Sequence, residues 1–323
     1  MLVDILEKIR RAIKRSEIIK PLINIRKKYI LNPRHKMQLK TTDFPSEVWI
    51  ENTNYCNASC VMCPYDSMTR KQGFMDFSLF KNLIEEISTY PVNRVHLHNF
   101  GEPLLDKELP RRIKLAKEHG VKLTYIVTNG SLLDHEKSSQ LIQSGLDEFK
   151  ISFYGTDSKT YNATMRKLDF EKTLDNVKSF FEIRRNMKAK RPKLTIQYLS
   201  LDTNESDYNG FINIFKPLID KEIGDRLISC DLHDYGGGSA YKSLALGKPL
   251  MTCHYPWKVM VVLHDGRVSS CCLDYNGEQI LGDVSKQSIK EVWGGRLYRE
   301  MREDFLRLDY KRYPICQKCN IVR

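Results

Sequence analysis

Apolar residues recur along this chain at two different spacings. Leu2, Ile5, Leu6, Ile9 and Ile13 fall three and four apart, with Lys8, Arg11, Lys14 and Arg15 at other positions around the turn. That spacing predicts a basic amphipathic helix over 2–19, broken at Pro21, which lacks an N–H. From about residue 47 short apolar runs alternate with helical stretches instead. Strands are predicted at 48–51, 94–98, 122–127, 148–153, 193–200 and 226–232. Helices are predicted near 77–87, 107–119, 135–144, 171–185 and 206–219. Asp76 can cap the first of these, which carries Phe77, Phe80, Leu83, Ile84 and Ile87 on one face.

Six strand–helix units in succession predict an α/β fold, a partial (βα)6 TIM-like barrel with a parallel sheet inside and helices outside. Chemistry in such sheets gathers at the C-terminal strand ends. Residues 235–252, with Gly236-Gly237-Gly238, read as a linker. Beyond it, 258–264 and 267–271 flank Asp265-Gly266, a hairpin signal. Ser288 with Glu291 forms a capping box for a short helix, and Gly294-Gly295 interrupts it before a second helical stretch. The expected organisation is an arm at 1–45, a barrel at 46–234, a linker at 235–252 and a small hairpin-plus-helix domain at 253–323.

Charge sharpens the picture of the arm. Residues 1–40 hold twelve Lys or Arg against three Asp or Glu, a net +9 of the chain's total +12. The remaining residues are close to balanced, so a nucleic-acid-binding body is excluded. The arm packs on the protein's own surface or contacts a membrane surface or partner. Neither a run of 18 apolar residues nor a signal peptide is apparent, and the expected location is cytoplasmic, with the arm allowing a peripheral place at the membrane.

Nine cysteines in such a chain point to metal before disulfides. Cys56-x3-Cys60-x2-Cys63 lies on a loop directly after a predicted strand. Three thiolates on a short loop hold three irons of a [4Fe–4S] cube and leave the fourth open to a small molecule. A structural zinc site would want four ligands close together, and His35, His96 and His98 are far along the chain. Cys253, Cys271, Cys316 and Cys319 form a second set. Four converging thiolates make a closed site, suited to electron transfer or structure. A zinc knuckle is the alternative there.

The first cysteine loop resembles that of the radical S-adenosylmethionine (SAM) enzymes. Three further segments match in order. Asn99-Phe100-Gly101-Glu102-Pro103 resembles the segment that binds the amino group of SAM, with Phe100 in place of its first glycine. Asn129 lies in Thr128-Asn129-Gly130 at the end of the third strand. Ser152 is similar in place to a serine that contacts the SAM ribose, and Arg166 to an arginine that reaches the SAM carboxylate. Met62 stands where an aromatic residue is common. The resemblance implies a SAM-binding [4Fe–4S] cluster, SAM as cofactor, a 5′-deoxyadenosyl radical, and a reductant such as flavodoxin or ferredoxin.

The second set resembles the SPASM/twitch extension of that family. Full SPASM domains have about seven cysteines, so this chain is expected to hold one auxiliary [4Fe–4S] cluster. The Gly266-x4-Cys271 spacing favours Cys271 over Cys272 as ligand. The spacing is most similar to that of an aminocyclitol dehydrogenase within the family. The reaction this implies is hydrogen abstraction from a small hydroxylated substrate (a sugar, polyol or aminocyclitol), followed by loss of a proton and transfer of an electron to the auxiliary cluster. Alternatives are epimerisation with Cys272 returning a hydrogen atom, modification of a peptide, or an iron–sulfur scaffold without catalysis. His98, Asn99, Tyr154 and Gln197 fall at predicted strand ends, where they could meet such a substrate; a purely structural role is the alternative for each. Cys230, in an apolar-flanked strand, is expected in the core.

Overall fold

The computed structural model describes residues 20–201, 207–230 and 251–319. The expected helix at 2–19 and most of the linker lie outside them. Within them, Pro21 lies in the first turn of a helix. Lys20–Arg26 is helical, passes through one π-turn at Lys27–Leu31, and continues as Asn32–Gln38. A proline costs a helix one N–H and crowds the preceding turn, but its fixed φ is helical.

The six expected barrel strands are β1 (Glu47–Ile50), β3 (Arg94–His96), β4 (Thr124–Thr128), β5 (Glu148–Ser152), β7 (Lys193–Leu199) and β8 (Arg226–Cys230). Each pairs in parallel with the next in that order. Between them run the helices Phe77–Ser88, Leu109–Glu118, His135–Gln143, Phe170–Asn186 and Tyr208–Phe215. Local chemistry starts several of them. Asp76 accepts hydrogen bonds from the N–H groups of Ser78 and Leu79, and Asp134 and Asp169 cap their helices in the same way. The expected face of Phe77–Ser88 buries Phe80, Leu83, Ile84 and Ile87, while Phe77 is half-buried under the Arg111 guanidinium, 3.9 Å away.

Side-chain alternation along the strands sorts residues into two layers. Val48, Ile50, Ile126, Phe149, Ile151, Ile196 and Tyr198 are fully buried in the main core. The intervening positions Trp49, Val127, Lys150, Ser152, Gln197 and Leu199 face the lumen and line a cavity. Below it, at the N-terminal end of the strands, Arg94 reaches Glu148 at 3.2 Å and lies over the Tyr125 ring.

The C-terminal hairpin forms as expected, from β9 (Val259–Val262) and β10 (Arg267–Ser269) around Gly266, whose φ is +89°. Two features go beyond the expectation. A third strand, β11 (Ile280–Asp283), pairs antiparallel with β10. And β9 pairs in parallel with β1, with Glu47 opposite Val259 and Ile50 opposite Val262. The order β11-β10-β9-β1-β3-β4-β5-β7-β8 is therefore one sheet of nine strands among the described residues. The short helix Ile289–Trp293 carries the expected capping box, and Gly294-Gly295 separates it from Arg296–Leu306.

Candidate active site

The first cysteine loop leaves β1 and folds against the barrel mouth. Its two-residue strand β2 (Ser59–Cys60) pairs with β6 (Met165–Arg166). The Cys56 N–H donates to Tyr65 Oη at 2.8 Å, and the Cys63 N–H to the Cys60 carbonyl. Cys56, Cys60 and Cys63 all edge a cavity of about 410 Å³ at the C-terminal ends of the strands. Burial pushes the Cys56 thiol up to about 12 and the Cys63 thiol to about 11, and raises Cys60 too. Three buried thiols that are costly to ionise alone suit a cationic cluster that ligates them as thiolates.

Gly101 passes close to the cysteine loop at φ +101°. A Cβ there would lie 2.7 Å from the Tyr55 carbonyl oxygen and 2.8 Å from Asn54 Cα, so only glycine fits. Glu102 follows, 2% exposed. Its carboxylate accepts from Thr128 Oγ1 at 2.6 Å and from the N–H groups of Asn129 (2.8 Å) and Leu104 (3.1 Å). Burial nevertheless pushes it up to about 7 against those hydrogen bonds. Asn129 Nδ2 donates to Asn57 Oδ1 in the cysteine loop. Gly101, Glu102, Asn129 and Ser152 thus line the same cavity as the three cysteines.

Arg166 does not join them. It is exposed and absent from the cavity lining, where its neighbour Met165 stands. On a two-residue strand adjacent side chains face opposite ways, and the apolar one has taken the inward place. Cys230 is also placed differently from the expectation: it packs against the core but opens onto the cavity at the end of β8. Asn99, Tyr154, Gln197 and His98 line the cavity as anticipated. The His98 Nδ1 and Trp49 Nε1 atoms are buried there without a hydrogen-bond partner.

The second set converges as its spacing suggested. Cys253, Cys271, Cys316 and Cys319 line one small cavity in the C-terminal unit. Burial pushes Cys253 up to about 12 and raises Cys316. The buried Ser270 Oγ in its wall has no partner. Cys272, one residue on from Cys271, opens onto the large cavity instead. Tyr255 edges both cavities, and its hydroxyl lies 3.3 Å from Cys272 Sγ. Among the described residues no three His, Cys, Asp or Glu side chains gather tightly enough to chelate a single metal ion.

One organising group gave no signal in the sequence. Glu51, fully buried just past β1, holds Arg70 through both carboxylate oxygens, with Nη1 to Oε2 at 2.6 Å. The same carboxylate accepts from the N–H groups of His264 (3.2 Å) and Phe100 (3.3 Å) and from Asn99 Nδ2 (3.3 Å). Arg70 in turn donates to the Tyr275 carbonyl at 2.6 Å. The cysteine loop, the segment before Gly101 and the C-terminal hairpin therefore meet on one carboxylate. Trp49 and Lys150 were also missed, although strand alternation places both in the lumen.

Comparison with known proteins accords with this geometry. Residues 50–192 match the Radical SAM superfamily, and residues 253–320 match SPASM, an iron–sulfur cluster-binding domain. The chain thus carries the two domains of radical SAM enzymes that have a C-terminal SPASM domain. Such enzymes hold a SAM-binding [4Fe–4S] cluster, SAM and an auxiliary iron–sulfur cluster. The chain is 23% identical over 280 residues to the S-adenosyl-L-methionine-dependent 2-deoxy-scyllo-inosamine dehydrogenase of Niallia circulans, covering 86% of this chain and 93% of that one. Its fold is similar to that of BtrN in complex with AdoMet and 2-DOIA (TM-score 0.61, 20% identity, 88% of this chain and 95% of that one). It is also similar to that of Streptococcus suis SuiB bound to the precursor peptide SuiA (TM-score 0.66, 16% identity, 89% and 72%).

Proposed function

We propose that this chain dehydrogenates a small hydroxylated substrate, a sugar, polyol or aminocyclitol, within the cavity between its two cysteine sets. The observation that carries this is the wall at Tyr255, Cys271 and Cys272. A lumen with polar groups lies on one side and a four-thiol cavity on the other, so a substrate and an electron acceptor would share this wall. Cys56, Cys60 and Cys63 would hold the SAM cluster, and Gly101, Glu102, Asn129 and Ser152 would cradle SAM. Cys253, Cys271, Cys316 and Cys319 would hold one auxiliary [4Fe–4S] cluster. Bound there, the groups supply hydrogen-atom abstraction and take up an electron. The protein's part is to orient the substrate hydroxyl and exclude water. The resemblance to an aminocyclitol dehydrogenase over nearly its whole length supports the substrate class.

The test is anaerobic reconstitution, reduction by dithionite, flavodoxin or ferredoxin, and incubation with carbinol-deuterated polyols, sugars and aminocyclitols, including 2-deoxy-scyllo-inosamine. Deuterium in 5′-deoxyadenosine together with a ketone product is the expected result. Absence of SAM cleavage with both clusters loaded and the whole panel present would sink the reading.

Cys272 favours a second reading, because its thiol opens onto the cavity and could return a hydrogen atom, giving epimerisation. Under that reading Cys272→Ala loses turnover, whereas a dehydrogenase keeps it. We also infer a cytoplasmic protein whose arm contacts membranes. Leu22, Ile25 and Tyr29, spaced three and four apart, are 66%, 55% and 65% exposed beside Arg26 and Lys28. Among the described residues no helix is long and apolar enough to cross a membrane. Co-sedimentation with anionic but not neutral vesicles tests the contact.

A further inference from the structure

Dehydrogenation of an alcohol needs somewhere for the hydroxyl proton to go, and the cavity holds one side chain built for that. Lys150 is the middle residue of β5, between Phe149 and Ile151 in the core. Alternation turns it into the lumen, where it lines the same cavity as Ser152 and Cys272. Its Nζ donates to Gln197 Oε1 at 2.6 Å, and Gln197 Nε2 donates to Tyr154 Oη at 3.2 Å. Gln197 is 9% exposed, so the amine is held from a fixed point. Among the described residues no carboxylate pairs with it, and Gln197 is its one hydrogen-bond partner. A lysine held this way keeps its remaining valences for a ligand.

The surroundings set its protonation. Burial disfavours the ammonium and lowers Lys150 from its ordinary range, partly opposed by the thiols of Cys230 and Cys272. Burial also lowers the neighbouring imidazoles of His96 on β3 and His98 just past it. Among the described residues His98 is the other basic group lining the cavity, but it is depressed well below the usual imidazole range and is a much weaker base than an amine.

We propose that Lys150 is the proton acceptor of the dehydrogenation, taking the hydroxyl proton of the substrate once its carbinol hydrogen has been removed. This rests on the oxidative reading above. In the step the substrate O–H bond breaks, an N–H bond forms on Nζ, and the bonding pair stays on oxygen. To become the carbonyl the deprotonated radical must lose one electron, and the auxiliary iron–sulfur cluster that Cys253, Cys271, Cys316 and Cys319 would hold would supply the acceptor. Gln197 and Tyr154 position the amine.

The experiment uses the reconstituted holoenzyme and Lys150→Met, with the iron content of both checked. The probe is carbinol-deuterated 2-deoxy-scyllo-inosamine, or the panel alcohol that labels 5′-deoxyadenosine in the screen above. The variant is expected to transfer deuterium at the wild-type level while ketone formation falls about 100-fold or more, the usual contribution of a positioned base. Wild-type ketone formation should rise with pH through the lowered value of Lys150, and the variant should lack that limb. Trace acetic anhydride labelling across a pH series, read on the Lys150 peptide, should show it losing its proton below the surface lysines. Three results overturn the proposal: ketone formation unchanged in Lys150→Met, deuterium transfer and ketone lost together, or Lys150 titrating with the surface lysines. Wild-type enzyme that labels 5′-deoxyadenosine yet makes no ketone overturns the oxidative reading and this step with it.

Discussion

Replacing Glu51 by Gln tests whether one carboxylate bolts the site together. Glu51 is fully buried and the Arg70 side chain is 3% exposed. The change keeps the volume, removes the charge, and turns an amide N–H₂ toward the guanidinium. Arg70 would retain the Tyr275 carbonyl but no counter-charge. Breaking a buried pair from one side costs about 3–5 kcal/mol, because the surviving ion stays desolvated. Removing both ions is far milder, so Arg70→Met in the Glu51→Gln background should recover about 2 kcal/mol or more. Urea unfolding of the cluster-free, reduced protein by circular dichroism measures all four corners of the cycle. Burial raises the Glu51 carboxyl, but hydrogen bonds from His264 and Arg70 outweigh it, and its net shift is downward. Its contribution is therefore held above the ordinary carboxylate range and is lost as pH falls through the depressed folded value. Glu51→Gln should flatten that acid limb. A loss under about 1 kcal/mol, or strictly additive singles, would refute the account.

Gly101→Ala should cost about 3 kcal/mol or more, from a left-handed φ and overlap with the backbone at Tyr55 and Asn54. Chemical iron analysis should then show the SAM cluster poorly loaded and the auxiliary cluster intact. Cys271→Ala should lose the auxiliary cluster's iron while Cys272→Ala keeps it, because the two thiols face different cavities; equal iron in both would reverse the ligand assignment. Glu102 is held near 7 in the free protein. Binding of the SAM ammonium should ionise it, so mildly acidic solution should show proton uptake by buffer on binding. Calorimetry in buffers of different ionisation enthalpy reads this, and the release should vanish well above 7 and in Glu102→Gln.

The barrel was legible because its strands and helices carry their own spacing and caps, as at Asp76. The cysteine sets were legible because thiols are scarce and their spacing sorts them into the two groups that line the two cavities. Gly101, Glu102, Asn129 and Ser152 were singled out by the resemblance to the radical SAM enzymes, and all four line the cavity. What stayed hidden is non-local. Nothing local to Val259–Val262 says that it pairs with β1, and Glu51 and Arg70 look like ordinary surface charges until the hairpin closes over them. Arg166 was placed by order along the chain, which does not decide which way a side chain faces. Lys150 was not singled out from the sequence, and in a barrel the polar face of β5 is the inside.

The parallel pairing of β9 with β1 bears on how this protein can be divided. Recognition by family draws a boundary before residue 253, yet the sheet runs unbroken across it. A chain cut there would leave β1 as an unpaired edge, its N–H and C=O groups free beside the cysteine loop. Such edges recruit other strands and lead to aggregation. The C-terminal unit therefore extends the barrel sheet past β1 as well as carrying the iron–sulfur-binding domain. Exchanging it between relatives should succeed only when the donor brings a strand of matching register for Glu47–Ile50.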